Sequence, residues 1–267
     1  MRPAASGGFA QWDQLMHVHL PKPLHGWRAF TGEVGIIVVG VLIALGAQQV
    51  VEHIHSRESA RQAVHAIQAE LAVQEVDAME RLAVQPCLTG QLNALATKLY
   101  AFRGGMWKGM PMIVNQTSDR DAQQRTVIAA YRAPERLWVS EAWQTARSNG
   151  SLDTLPDAAV GEYAQEYNRG NRILTLQMQE NEPAARLAPL AVDGPISADE
   201  RASMLGAIAA VDRANAGMEY QARYLVAELR PLLSEVPKTK IDREVAAMVA
   251  AQREFRGKCV QVPKPSI

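Results

Sequence analysis

The sequence predicts an all-α protein in which one N-terminal transmembrane helix continues into an antiparallel helical bundle. Three observations support this fold class. The stretch Val34–Val51 contains no Asp, Glu, Lys or Arg. Aromatic residues make up only 6% of the chain, and Ala, Leu, Gln, Glu and Arg dominate, a composition typical of helices. Beyond Arg57, apolar residues recur at helical spacing.

As a helix, Val34–Val51 would be ~27 Å long, enough to cross the hydrocarbon core of a bilayer. A cleavable signal peptide requires a short basic start and a small-x-small cleavage site. Here the best candidates, Leu42-Ile43-Ala44 and Leu45-Gly46-Ala47, carry a large residue where a small one belongs. A buried core helix or an interfacial helix would need a polar face, but Val, Ile and Leu occur on every side of this helix. We therefore interpret it as an uncleaved anchor.

This interpretation divides the chain into four parts. Residues 1–15 are expected to be disordered on composition, and Met16 is an alternative start to Met1. The predicted parts are an N-terminal segment at 1–31, a transmembrane helix at 32–52, a helical-bundle domain at 53–262 and a tail at 263–267.

The orientation of the span does not follow from its flanking charges. Lys22 and Arg28 precede it, and Arg57 and Arg61 follow it, which is a tie under the positive-inside rule. The N-terminal segment is too short for a folded domain, and the long part contains a cysteine pair. These two features favour an orientation in which the bundle lies outside the cytoplasm.

Two patches carry a resemblance to a known family. The first is His19–Arg28 (HLPKPLHGWR), followed by the glycine-rich start of the span at Gly32–Ala47. The second comprises Ala142–Ala146 (AWQTA) and Ser148–Leu152 (SNGSL). Both resemble a family of uncharacterised proteobacterial single-pass membrane proteins, whose members often begin near the equivalent of Met16. The resemblance implies a short N-terminal segment, one span and an α-helical domain, and it implies no activity.

The bundle begins with a helix that is expected to run from Arg57 to Gln85 and to end at Pro86. A second amphipathic helix, from Leu88 to Phe102, is followed by a loop at 104–117 with an exposed Trp107. The remaining predicted helices run from Ser118 or Asp119 to Ala133, from Leu137 to Arg147, from Pro156 past Pro183, from Ser197 to Leu233 and from Ile241 to Phe255. Ser197 and Glu200 match a capping box. No alternating pattern predicts a strand.

The only two cysteines, Cys87 and Cys259, both lie at predicted helix ends. A disulfide between them would close a loop of about 170 residues, worth roughly 5 kcal/mol in the chain-entropy model. Two unpaired buried thiols are the alternative. The spacing matches no thioredoxin-like or zinc motif.

Few residues suggest chemistry. Glu52 and His55 form one Glu-x-x-His pair, but a di-iron bundle needs a second pair and two further glutamates. His53 and His55 are expected to be solvated, and His17 and His19 lie in the N-terminal segment. We therefore predict no metal site, cofactor or catalytic residue.

Aromatic and acidic side chains of the bundle have simple packing explanations. Glu162 and Glu166 are expected on a charged outer face, with Tyr163 and Tyr167 packed inward. Trp138 and Trp143 could line a ligand pocket between helices, but packing in the core is the expected role of both.

The expected partners are the lipid bilayer and, as open alternatives, a membrane or periplasmic protein and a second copy of the chain. Dimerisation would use Gly40 and Ala44, a small-xxx-small pair in the span. Lys plus Arg and Asp plus Glu both total 28, so no nucleic-acid partner is indicated. The predicted function is a membrane-anchored, non-enzymatic interaction or sensory module. A membrane-tethered enzyme and a structural subunit are the alternatives.

Overall fold

The computed structural model describes residues 26–118 and 121–263, and within them the chain is mostly helical. The predictions for residues 1–25 and 264–267 lie outside the described residues. The helices are α1 Trp27–Ala101, α2 Glu141–Ser148, α3 Asp157–Arg186, α4 Ala198–Leu232 and α5 Lys238–Arg256, with short 3₁₀ turns at Ala188–Ala191 and Gly257–Cys259. The strands are β1 Met106–Trp107, β2 Met112–Ser118, β3 Asp121–Ala129 and β4 Gly194–Pro195.

The chain divides into two compact units, Met1–Ile54 and His55–Ile267. In the first unit the described residues belong to the start of α1. Its most apolar window has a mean hydropathy of 2.3, and none of that window is buried. Ile36, for example, is 76% exposed. This part of α1 is long and apolar enough to cross a membrane.

The second unit is a helical bundle with two hydrophobic core clusters. The first core cluster includes Leu71, Trp143, Ile173, Leu225 and Val245, and so draws on all five helices. The second core cluster contains Leu88, Leu92, Leu95 and Leu99 of α1, together with Trp107 and residues of the 3₁₀ turn and α4. The apolar repeat predicted for Leu88–Leu99 is therefore the seam of this second cluster.

Pro86 does not end the first helix, because α1 continues through it to Ala101. Proline removes one backbone N–H and disturbs the preceding turn. In that turn the carbonyl of Ala83 accepts a hydrogen bond of 3.0 Å from the backbone N–H of Gln261. The C-terminal segment thus supplies a hydrogen bond beside the proline, and Leu82, Ala83 and Val84 are all buried.

The expectation of no strands is wrong, and so is the helix predicted to run to Ala133. Residues 112–129 form a hairpin instead, in which Ile113 lies opposite Ile128 and Val114 opposite Val127. β-branched residues at facing positions favour antiparallel pairing. That local preference outweighs the helical character of the Gln-rich stretch between them.

The helix predicted to begin at Leu137 begins later, at Glu141. The preceding residues form no regular secondary structure and are held in place by side chains of other helices. The backbone N–H of Arg136 donates to Gln177 Oε1 at 3.1 Å, and the Arg136 carbonyl accepts from Gln177 Nε2 at the same distance. Gln74 Nε2 donates to the carbonyl of Val139 at 2.7 Å.

Trp107 is buried, at 1% exposure, rather than exposed as predicted. Its indole N–H donates to the carbonyl of Leu190 at 3.0 Å, and the ammonium of Lys98 lies 4.4 Å from the ring centroid. The two-residue pairing of β1 with β4 places Trp107 opposite Gly194. By contrast, the capping box at Ser197 and Glu200 is confirmed.

Candidate functional site

The candidate site is a pocket of about 560 Å³ in the second unit, where α4 turns into α5. Val226, Leu233, Val236 and Ile241 supply apolar walls. Glu75 of α1 also lines it, and the side chain of Glu75 is fully buried. Ligand pockets commonly fall in the range of ~300–1,000 Å³ and combine apolar walls with a few polar groups.

Glu75 makes one strong contact. Arg230 Nε donates to Glu75 Oε1 at 2.6 Å, and the same guanidinium reaches Asp242 Oδ1 at 3.3 Å. Within the described part of the chain, Glu75 Oε2 has no hydrogen-bond partner. Burial raises the pKa of Glu75 above its usual value, against the opposing effect of Arg230. The pocket is therefore lined by a carboxyl group with one oxygen bound to Arg230 and the other without a hydrogen-bond partner among the described residues.

The loop that forms the rim of this pocket is fixed by Gln68 of α1. Gln68 Oε1 accepts from the backbone N–H of Glu235 at 2.8 Å. Its Nε2 donates to Tyr163 Oη at 3.0 Å and to Ser234 Oγ at 3.4 Å. Because Gln68 is 2% exposed, its end of each hydrogen bond is buried, and together the three bonds hold the turn in place.

A second polar cluster lies at the level where the two core clusters meet. Tyr131 Oη donates to Glu180 Oε1 at 2.5 Å, Asn215 Nδ2 donates to Tyr131 Oη at 2.7 Å, and Arg81 contacts both Glu180, at 3.4 Å, and Asn215. All four side chains are buried. We call this set the polar layer.

The polar layer lies where α1 and α3 change from one core cluster to the other. On α1, Met79, Leu82 and Ala83 belong to the first cluster and the second begins at Val84, so Arg81 lies close to the change. On α3, Glu180 lies between Ile173 of the first cluster and Ala184, which packs against the second. Burial raises the pKa of Glu180, which is opposed by Arg81. The polar layer thus serves the packing of the bundle.

A third group, at the side of the bundle, is a bidentate ion pair. Arg136 Nε and Nη2 each lie 2.6 Å from one oxygen of Glu80. Gln252 Nε2 donates to Glu80 Oε1 at 2.7 Å, so the pair joins α1, the irregular segment before α2, and α5. Asp77 lies beside it, 3.5 Å from Arg136, and burial raises its pKa to about 6.

The predicted acidic face of α3 is only partly exposed. Glu162 is exposed, whereas Glu166 is buried, and Tyr163 and Tyr167 pack inward. Glu166 Oε1 lies 3.4 Å from Arg169, which also pairs with Glu228 at 2.6 Å. Burial raises the pKa of Glu166 to about 7. This carboxyl group therefore binds a proton more readily in the folded chain than in the unfolded one.

From this shift we expect a pH-dependent contribution to stability. Because the folded-state pKa is raised, the unfolding free energy falls as the pH rises from about 4.5 to about 7. Replacing Glu166 with Gln should remove this contribution. The unfolding free energy of the variant, relative to that of wild type, should therefore rise by about 1–2 kcal/mol from pH 5 to pH 8, a value reduced to allow for solvent screening around Arg169. Thermal unfolding of both proteins at the two pH values measures it. Glu162→Gln is the exposed control. If the melting temperatures of Glu166→Gln and wild type change by the same amount between the two pH values, the expectation is refuted.

Trp138 and Trp143 are both buried. Trp143 stacks on Tyr167, with ring centroids 5.4 Å apart and an interplanar angle of 21°. Both tryptophans belong to the first core cluster and neither lines the pocket over Glu75. Their role in packing follows from these contacts.

The histidines of the Glu-x-x-His stretch are exposed. Among the described residues, no group of three or more His, Cys, Asp or Glu side chains is arranged to hold a metal ion. Gly40 and Ala44 lie on the exposed surface of the first unit, and an added Cβ at Gly40 would meet no atom within 4 Å.

Cys87 and Cys259 are joined by a disulfide in the structure, with Sγ atoms 2.11 Å apart and Cα atoms 5.1 Å apart. The following residue, Val260, is buried at 2% exposure, and its carbonyl accepts from Arg253 Nε at 3.3 Å. Together with the Gln261–Ala83 hydrogen bond, these contacts fasten the segment after α5 to the middle of α1.

Sequence reasoning missed Glu75, Arg230 and the polar layer. A signal for Glu75 was present, because it follows Leu71 at i+4 and precedes Ala78 at i+3, on the apolar stripe of the predicted helix. A charge on such a stripe indicates either a buried ion pair or a ligand contact. The partner of that charge, Arg230, is 155 residues away, and no local pattern identifies it.

These features define the class of the protein as a mostly helical bundle, preceded by an apolar helical segment, with a pocket over a buried carboxyl group. Searches with this chain find no matching family model, no matching curated protein and no matching solved structure. The resemblance of the N-terminal patches to single-pass membrane proteins therefore stays a prediction.

Proposed function

We propose that the protein is a membrane-anchored, non-enzymatic helical module that senses a ligand or binds another envelope protein. The observation that carries this proposal is the apolar part of α1, whose most apolar window has no buried residue. In water, exposed apolar surface costs about 25 cal/mol per Å² relative to burial. A bilayer would cover this surface along the length of Val34–Val51.

The contacts of the buried carboxyl groups support a binding role over catalysis. Glu80 and Glu180 each contact an arginine, and these contacts join separate parts of the bundle. Acid–base catalysis requires ionisable groups that can reach a substrate. Glu180, whose pKa is raised by burial, is instead engaged in holding α3 to α1.

One observation favours the alternative of a membrane-tethered enzyme. Glu135 and Glu180 line the same pocket, of about 430 Å³, together with Tyr131. Two carboxyl groups at one pocket could divide acid and base roles. However, Glu180 Oε1 is held by both Tyr131 and Arg81, so we place the enzyme second. The structural-subunit alternative rests on Gly40 and Ala44.

We further propose that the anchor lies in a bacterial inner membrane with the bundle in the periplasm. The Cys87–Cys259 pair supports this location, because disulfides persist in oxidising compartments and are rare in the cytosol.

Thiol labelling tests the location. Cys259 is exposed, so a Cys87→Ala variant presents one free, accessible thiol. In intact cells with a permeabilised outer membrane, a membrane-impermeant maleimide should label this variant directly and should label wild type only after reduction. The matched Cys259→Ala variant reports on the buried partner.

Two results would contradict the proposal. If Cys87→Ala is labelled only after cell lysis, the bundle is cytoplasmic. If the wild-type chain leaves the membrane pellet during an alkaline carbonate wash, the apolar segment is not an anchor. A chain that remains in the pellet and reacts as expected supports both parts.

A further inference from the structure

The pocket at the turn between α4 and α5 combines apolar walls with a buried carboxyl group. Its walls are apolar, formed by Val226, Leu233, Val236 and Ile241, while Glu75 beneath them is fully buried. A buried polar atom without a hydrogen bond destabilises the fold, because it has lost its hydration without gaining a partner. The structure nevertheless leaves Glu75 Oε2 without a partner among the described residues.

The surrounding charges restrict what could complete this site. Arg230 uses Nε on Glu75 and Nη2 on Asp242, so its guanidinium is already shared between two carboxyl groups. Lys238 also lines the pocket, and it is exposed. A carboxylate accepts hydrogen bonds and, when ionised, cannot donate them. When Glu75 is ionised against Arg230, the group that fits against Oε2 is therefore a hydrogen-bond donor.

We propose that this pocket binds a small amphipathic amine, with its apolar body against Val226, Leu233 and Ile241 and its ammonium group donating to Glu75 Oε2. A charged donor and a charged acceptor make a stronger hydrogen bond than a neutral pair. The inference rests on the proposed sensory function and names its ligand class.

The pocket lies at the same turn between α4 and α5 that Gln68 holds to α1. Pro231 and Val236 line it at the end of α4 and in the turn. The same turn is held to α1 by Gln68, through the backbone N–H of Glu235. A ligand on Glu75 would thus contact α1, α4 and α5 at once, and its binding would stabilise their present arrangement.

A matched set of probes tests the ligand class on the full-length protein in nanodiscs. 4-Phenylbutylamine, 4-phenylbutanol and 4-phenylbutyrate share one apolar body and differ in the terminal group. Titration calorimetry against empty nanodiscs should show the amine binding at least tenfold more tightly than the alcohol, and the acid binding weakest. Glu75→Gln should weaken amine binding at least tenfold and leave alcohol binding nearly unchanged.

Two further variants keep the test decisive. Glu162→Gln makes the same chemical change at an exposed position and should leave the affinity unchanged. Ala227→Phe narrows the pocket from one wall while keeping Glu75, so it should weaken binding of both amine and alcohol even if Glu75→Gln does not fold.

Equal affinity for amine and alcohol would overturn the inference. Tightest binding of the acid would also overturn it, because that result would assign the site to anions held by Arg230 and Lys238.

The outcome of this test is separable from that of the proposed function. A chain embedded in the membrane that does not bind the amine overturns only the ligand class. A chain that binds the amine but washes off the membrane overturns only the anchor.

Discussion

Replacing both Cys87 and Cys259 with Ala should lower the unfolding free energy by about 5 kcal/mol. The disulfide joins residues 172 apart, and a crosslink that closes so long a loop removes much conformational freedom from the unfolded chain. For a bundle of this size the loss corresponds to a decrease in melting temperature of roughly 10–20 °C. Thermal unfolding of oxidised wild type and the double variant measures the difference.

Reduction provides the matched control. Reduced wild type should melt close to the double variant, and a reductant should not change the melting temperature of the double variant. If oxidised and reduced wild type melt at the same temperature, the crosslink is absent in solution or does not stabilise the fold. In that case the packing of Val260 and the Gln261–Ala83 hydrogen bond hold the segment after α5 without help from the crosslink.

The second large effect is expected in the polar layer. Glu180→Leu should lower the unfolding free energy by about 3–5 kcal/mol, because it leaves the buried Arg81 without its carboxylate. Arg81→Met should be destabilising for the converse reason. The double variant should recover most of the loss, since buried ion pairs often tolerate replacement by apolar residues of similar volume.

A double-mutant cycle by urea unfolding measures this coupling. The control is the exposed pair Arg186–Glu182, 2.9 Å apart on α3, whose removal should change stability by less than about 1 kcal/mol. Additive losses at Arg81 and Glu180, with no recovery in the double variant, would show that the two side chains are stabilised separately. Asn215 and Tyr131 would then be the important partners.

The helical character was predictable because the signals for a helix lie within short, continuous stretches of sequence. The repeat from Leu88 to Leu99 and the capping box at Ser197 each lie within a few turns of one helix, and both appear where expected. Pro86 misled the prediction because its effect depends on distant residues. The Ala83 carbonyl beside it is bonded by Gln261, far along the chain.

The hairpin and the candidate site were missed for related reasons. Facing pairs such as Val114 and Val127 acquire their meaning only once the two strands are paired. Likewise, the pocket requires Glu75 from α1 and Arg230 from the end of α4. Composition and periodicity describe one segment at a time, so a site assembled from several segments leaves only an unexplained charge on an apolar stripe.

The fastening of the segment after α5 to the middle of α1 has a consequence for the order of events during synthesis. Cys259 follows Cys87 by 172 residues, and at ~5–20 residues per second it is made roughly 9–34 s later. During that interval the half of α1 that contains Cys87 exists without its partner. A newly made chain therefore holds an unpaired thiol for many seconds, and in an oxidising compartment it would benefit from an isomerase that reverses premature pairing with other proteins.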